Sequence, residues 1–82
     1  MTNTNTSIIN PSKPSAKLIA LYAELYRLEF NRSVTSVNLL TERYNAPAKF
    51  DQAINNLIKR HLLSRSLADD YTNCYRQEMA AA

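Results

Sequence analysis

The clearest periodic signal in the chain is the stretch FDQAINNLIKRHLL, which covers residues 50–63. Its apolar side chains recur at intervals of three, one and four residues, and this spacing puts them on one face of an α-helix. Proline suits the first turn of a helix, so we expect this helix to run from about Pro47 to Ser64. The apolar positions of the stretch are Phe50, Ala53, Ile54, Leu57, Ile58, Leu62 and Leu63.

A second, shorter helix is predicted just upstream. Thr35 is a good N-cap residue for it. Asn45 and Pro47 end it, because asparagine tolerates a left-handed C-cap and the residue before proline avoids the helical region. The apolar side chains in between share one face at helical spacing: Val37, Leu40 and Tyr44.

A longer helix is predicted from Ser15, as N-cap, to about Phe30. Its apolar residues form two neighbouring stripes. The first stripe is Leu18, Leu21, Leu25 and Leu28, and the second is Ile19, Tyr22, Tyr26 and Phe30. One small domain rarely buries so much surface from a single helix, so the second stripe is a candidate protein interface or dimer face. The alternative, that the core and the N-terminal residues cover both stripes, stays open.

The two ends of the chain carry weaker signals. Residues 1–15 are rich in Thr, Asn, Ser and Pro, which predicts a flexible arm ahead of a single domain at 16–82. In the tail, Ser66 and Asp69 have the spacing of a helix cap, and we expect a C-terminal helix. A hairpin is the alternative, although the chain lacks the glycine that tight hairpin turns favour.

Composition narrows the classes of function. The 82 residues carry a net charge of +3 and include no glycine, one histidine and one cysteine. Glycine-rich phosphate loops and EF-hand loops are therefore excluded, zinc-type and calcium-type spacings are absent, and we expect no metal, no cofactor and no catalysis. A single cysteine in so small a domain indicates the cytoplasm. No apolar run approaches the roughly 20 residues of a membrane span.

Residues 34–63 resemble the helix-turn-helix of the small winged-helix DNA-binding regulators. The resemblance rests on the periodic stretch 50–63, on Leu40 and Tyr44 as core positions of the second helix, and on Ala46 in the turn. It implies a mainly α-helical fold with a three-helix helix-turn-helix core. The C-terminal helix follows this core, or, as the alternative, a short two-stranded wing.

The chain departs from the family pattern at two places. The family usually has glycine just before the final apolar pair, where this chain has His61. The family also has a basic wing, whereas Asp69 and Asp70 make this part of the chain acidic.

The resemblance implies that the third helix enters the major groove of DNA. Asparagine, glutamine and lysine pair with base edges, while cations and helix-terminal amides bind phosphates. The base-contacting candidates are Lys49, Gln52, Asn55 and Asn56. The phosphate-contacting candidates are Thr35, Ser36, Arg43, Lys59 and Arg60.

Two functions stay open at this point. The first is a small transcriptional regulator that binds double-stranded DNA as a homodimer and acts by occupancy. The second is a protein-binding inhibitor or adaptor of a phage or mobile element, which uses a helix-turn-helix scaffold without binding DNA and docks on a host protein complex. The modest positive charge permits the first function and does not require it.

Overall fold

The computed structural model describes residues 13–81. Within this range the chain forms four helices: α1 (Ala16–Phe30), α2 (Val37–Tyr44), α3 (Pro47–Lys59) and α4 (Arg65–Ala81). The mainly α-helical class is confirmed, and the tail forms a helix, since no strand occurs among the described residues. Most of the predicted N-terminal arm, residues 1–12, lies outside the described range.

The bounds of α1 agree with the prediction. Ser15 Oγ accepts a hydrogen bond from the Leu18 amide at 3.2 Å, as an N-cap does. At the other end Asn31 has a left-handed φ of 54°, and its amide donates to the Arg27 carbonyl at 2.8 Å. Asparagine visits this conformation at lower cost than most residues, so the helix ends directly after Phe30.

The predicted N-cap of α2 is wrong by one residue. The side chain that accepts from the Leu39 amide, at 3.2 Å, is that of Ser36 and not that of Thr35. A capping hydroxyl must lie directly before the first helical residue, and α2 begins at Val37. Thr35 is left exposed in the connection that precedes the helix.

The turn between α2 and α3 also differs from the prediction. Asn45 was expected to be left-handed, but its φ is −85° and its ψ is 53°. The Ala46 amide donates to the Tyr44 carbonyl at 2.8 Å, which makes this an inverse γ-turn. Because such a turn reverses the chain within three residues, α3 begins at Pro47, and only two residues separate it from the end of α2.

The C-terminus of α3 is a Schellman motif. Arg60 follows the helix as its C-cap, and His61 has a left-handed φ of 60°. The His61 amide donates to the Ile58 carbonyl at 3.0 Å, and the Leu62 amide donates to the Leu57 carbonyl at 2.9 Å. The amides of the left-handed turn therefore donate hydrogen bonds to carbonyls in the last turn of α3.

The predicted end of α3 at Ser64 is wrong for this reason. Leu62 and Leu63 continue the helical spacing in the sequence, but they follow the reversal, which leaves Leu62 39% exposed and buries Leu63. His61 stands at the position where the resemblance drawn from the sequence led us to expect glycine. Glycine is the residue that adopts a positive φ without steric cost.

The early end of α3 leaves Ser64 free to cap α4. Ser64 Oγ accepts from the Leu67 amide at 3.1 Å, and its carbonyl accepts from the Ala68 amide at 2.9 Å. The predicted cap, Ser66, lies inside the helix. The first turn of α4 is consequently not acidic, and Asp69 lies exposed in the second turn.

One hydrophobic core joins the four helices, and each helix contributes one aromatic ring to it. We call this set the aromatic chain: Tyr44 of α2, Tyr22 of α1, Phe50 of α3 and Tyr75 of α4. Successive ring centroids lie 5.7, 6.5 and 4.1 Å apart, and the last pair is stacked. All four residues are buried. Because Phe50 is held on both sides, the rotation of α3 about its axis is fixed.

Replacement of His61 by glycine is expected to stabilise the fold by about 0.5–1 kcal/mol, because relief of the left-handed strain exceeds the entropy cost of glycine in the unfolded chain. Urea unfolding followed by circular dichroism measures the change. Asn31→Gly is the matched control and should gain less, since asparagine tolerates the left-handed region. A His61→Gly variant that unfolds at lower urea than the wild type contradicts this account of the turn.

Candidate nucleic-acid interface

The helix α3 has one buried face and one exposed face. Phe50, Ile54 and Leu57 are buried in the core. Helical geometry turns Gln52 and Asn55 to the other side, where both are exposed. The predicted base-contacting face is therefore accessible to a ligand.

A groove of about 890 Å³ lies beside this face, between α3 and the C-terminal half of α2. It brings together six of the nine predicted DNA-contacting residues: Arg43, Lys49, Gln52, Asn55, Asn56 and Lys59. All four base-contacting candidates thus share one surface.

The other three candidates lie outside the groove. Thr35 and Ser36 are exposed at the start of α2, where the hydroxyl of Ser36 is occupied by its capping bond. Arg60 is exposed directly after Lys59 at the end of α3. Two adjacent cations therefore mark the C-terminal end of the groove-lining helix.

Arg43 is engaged within the protein. Its guanidinium donates to Glu29 Oε2 at 3.2 Å and lies 4.5 Å from the centroid of the Phe30 ring. The Tyr44 hydroxyl donates to the other oxygen of the same carboxylate at 2.9 Å. To bind a phosphate, Arg43 must give up the Glu29 ion pair, which its sequence position alone did not indicate.

Lys49 is also engaged. Its Nζ donates to the backbone carbonyl of Glu42 at 2.7 Å. This carbonyl belongs to the last turn of α2, where helix carbonyls lack partners within the helix. Lys49 thus caps α2 from across the turn, a structural role that the sequence analysis did not assign to it.

The charges that line the groove cancel. Arg43, Lys49 and Lys59 face three carboxylates, those of Glu29, Glu42 and Asp51. Sequence reasoning did not place Glu29 in this site, because Glu29 belongs to α1 and reaches the groove only through tertiary packing. The groove itself therefore attracts a polyanion weakly, and the unbalanced positive charge is at its end, with Arg60.

The predicted protein interface divides into a buried part and an exposed part. Tyr22 is fully buried, and its hydroxyl donates to Asn45 Oδ1 at 2.7 Å, so it belongs to the core and not to a docking surface. Ile19 is half-buried against the core. Tyr26 and Phe30 reach the surface, with their ring centroids 4.5 Å apart.

The exposed part extends beyond α1. Leu39 of α2 joins Tyr26 and Phe30 around a shallow cavity of about 530 Å³, with Glu42 and Arg43 at its edge. We call Tyr26, Phe30 and Leu39 the apolar patch. Leu39 was missed as an interface residue, although its place beside the apolar face of α2 was the available signal.

Among residues 13–81, no cluster of three or more His, Cys, Asp or Glu side chains is arranged to hold a metal ion. In the same part of the chain, no helix combines the length and the apolar character needed to cross a bilayer. Comparisons with protein-family models, curated proteins and solved structures found no match. Function is therefore inferred from the chemistry of the residues around α3.

The protein is expected to unfold as the pH rises above about 10. Burial raises the pKa of the Tyr22 phenol above its usual value of about 10, and burial with the hydrogen bond to Glu29 does the same for Tyr44. These neutral phenols stabilise the fold fully below pH 10, and the contribution is lost as the pH rises through the folded-state values. Helical circular dichroism and tyrosinate absorbance should therefore change together.

The Tyr22→Phe variant provides the control for this pH dependence. It removes one group with a raised pKa, so stability should fall less steeply with pH in the alkaline range. Ionisation of Tyr22 and Tyr44 near pH 10 with unchanged helix content is the result that contradicts the prediction.

Proposed function

We propose that this chain is a small DNA-binding protein that inserts α3 into the major groove and regulates its target by occupancy. The observation that carries the proposal is the exposed face of α3, on which Gln52, Asn55 and Asn56 line one groove while Phe50 is buried behind them. Amide side chains pair with base edges. A helix about 10–12 Å across fits a groove about 12 Å wide.

The connection from α2 to α3 supports this proposal. In a helix-turn-helix, one helix crosses the DNA backbone and the next enters the groove, so the turn must hold the two at a constant angle. Here a helix of 8 residues is joined to one of 13 by two residues, Asn45 and Ala46. The Tyr22 hydroxyl bonds the Asn45 side chain and thereby ties this turn to α1.

Phosphate contacts are proposed for the cations that the fold leaves unpaired. Lys59 and Arg60 are exposed and lack an ion-pair partner among the described residues. Thr35 and Ser36 are exposed directly before α2, and the amides at this helix N-terminus are the further phosphate donors in the proposal. Arg43 is the least available of the predicted phosphate ligands, because it pairs with Glu29.

The proposal includes a homodimer. A monomer with so few cations binds duplex DNA weakly at physiological salt, whereas two copies double the phosphate contacts and supply two half-sites. The apolar patch suits a second copy, because Glu42 and Arg43 at its edge allow opposite charges of the two copies to meet across a two-fold axis.

The double variant Lys59→Gln/Arg60→Gln tests the DNA contact. We expect it to weaken binding of duplex DNA at least about tenfold at low salt and to flatten the salt dependence by close to two counterions per copy of the chain, because each copy loses two phosphate contacts. Mobility-shift titrations at several salt concentrations measure both quantities.

The matched control is Arg65→Gln/Arg76→Gln, which removes the same charge from exposed positions on α4. It should retain the wild-type salt slope. The proposal is overturned if the Lys59 and Arg60 variant binds like the wild type, or if the wild type binds no duplex DNA at low salt.

Solution mass tests the dimer. We expect sedimentation equilibrium to give twice the 9.3 kDa of one chain, and Phe30→Ser to give a monomer that binds DNA less tightly. Leu67→Ser is the matched control, because Leu67 is exposed to a similar degree, 40% against 42% for Phe30, but lies on α4. Equal masses for the wild type and Phe30→Ser contradict a dimer at the apolar patch.

A second candidate function uses the same patch. Exposed aromatic rings anchor protein interfaces, and Tyr26 and Phe30 form such a pair. In this function the chain docks on a host protein complex as an inhibitor or adaptor. This function is favoured over DNA binding if the wild-type chain stays monomeric, does not bind DNA and co-purifies with one host complex. The Phe30→Ser variant should then lose that complex.

A further inference from the structure

The polar side chains on the exposed face of α3 differ in what they are free to bind. The side-chain amides of Gln52, Asn55 and Asn56 have no hydrogen-bond partner among residues 13–81. Lys49, the one cation among the predicted base contacts, is bonded to the Glu42 carbonyl. The groups free to meet a base are therefore carboxamides.

A carboxamide presents one donor beside one acceptor. Adenine offers the matching pair in the major groove, with N7 as acceptor and the N6 amino group as donor. Guanine offers two acceptors, N7 and O6, and is matched by the paired donors of arginine or by lysine. Asp51, which also lines the groove, carries only acceptors when ionised and so repels the guanine edge.

The spacing of the amides fits neighbouring base pairs. Gln52 and Asn55 are three residues apart, so they lie on the same side of α3, about 4.5 Å apart along its axis. Successive base pairs are separated by about 3.4 Å. Each of the two exposed side chains can thus meet its own base.

We infer that α3 reads adenine, and that Gln52 and Asn55 each pair with the N7 and N6 of an adenine in adjacent A·T pairs. This inference rests on the proposed DNA binding and names the class of sequence that the same surface selects. Asn56, which is half-buried at the wall of the groove, supports the pair and is not needed for it.

Competition mobility shifts with three duplexes of equal length test the inference: alternating A·T, alternating G·C, and A·T in which the N7 of adenine is replaced by carbon. We expect a preference of about hundredfold for A·T over G·C, because each of the two bidentate pairs provides about tenfold, and loss of that preference on N7 replacement. Gln52→Ala/Asn55→Ala should bind both natural duplexes equally. Alanine favours helix, so this variant keeps α3 folded.

Asn73→Ala/Gln77→Ala is the matched control, because it removes two exposed amides from α4 and should keep the preference. Equal binding of the A·T and G·C duplexes, or preference for G·C, overturns adenine reading and leaves DNA binding in place. An A·T preference that survives both N7 replacement and the Gln52→Ala/Asn55→Ala change also overturns adenine reading, because groove shape then explains the preference. Binding to none of the duplexes overturns the proposed function together with the inference.

Discussion

The stacking of Phe50 on Tyr75, with ring centroids 4.1 Å apart, is the contact on which the arrangement of this protein depends. It joins α3 to α4, and the aromatic chain continues through Tyr22 of α1 and Tyr44 of α2. Aromatic pairs of this kind add about 0.5–1.5 kcal/mol each to the burial of their surfaces. Because the aromatic chain has one ring from each helix, it fixes the rotation of α3 about its axis and thereby determines which side chains of α3 face solvent.

The tyrosine hydroxyls of the aromatic chain also affect which charged groups are free at the surface. Tyr44 and Arg43 both bond the Glu29 carboxylate. Arg43, which was predicted to contact phosphate, therefore stabilises the fold instead. Lys49 is used in the same way at the end of α2. In this small domain, which has no glycine, two basic side chains thus form contacts that stabilise the fold. Among the predicted base contacts, the side chains that stay free are therefore the amides of Gln52, Asn55 and Asn56.

The positions of the four helices were predictable, because apolar spacing, prolines and capping residues are local signals. The end of α3 was not, since the apolar period runs on past the left-handed turn at His61. Tyr22 was mistaken for an interface residue because the rings that bury it come from other helices. In the site, the exposed amides followed from helical periodicity, whereas the partners of Arg43 and Lys49 depend on tertiary contacts that no local pattern encodes.

In the proposed complex, the exposed face of α3 contacts DNA bases through its amides. Titration of the isotope-labelled protein with an alternating A·T duplex, followed by NMR of the side-chain amide groups, tests it most directly. We expect large shifts for Gln52 and Asn55 and none for Asn73 and Gln77 on α4. Shifts confined to the apolar patch, or unchanged α3 amides in the presence of saturating duplex, would contradict it.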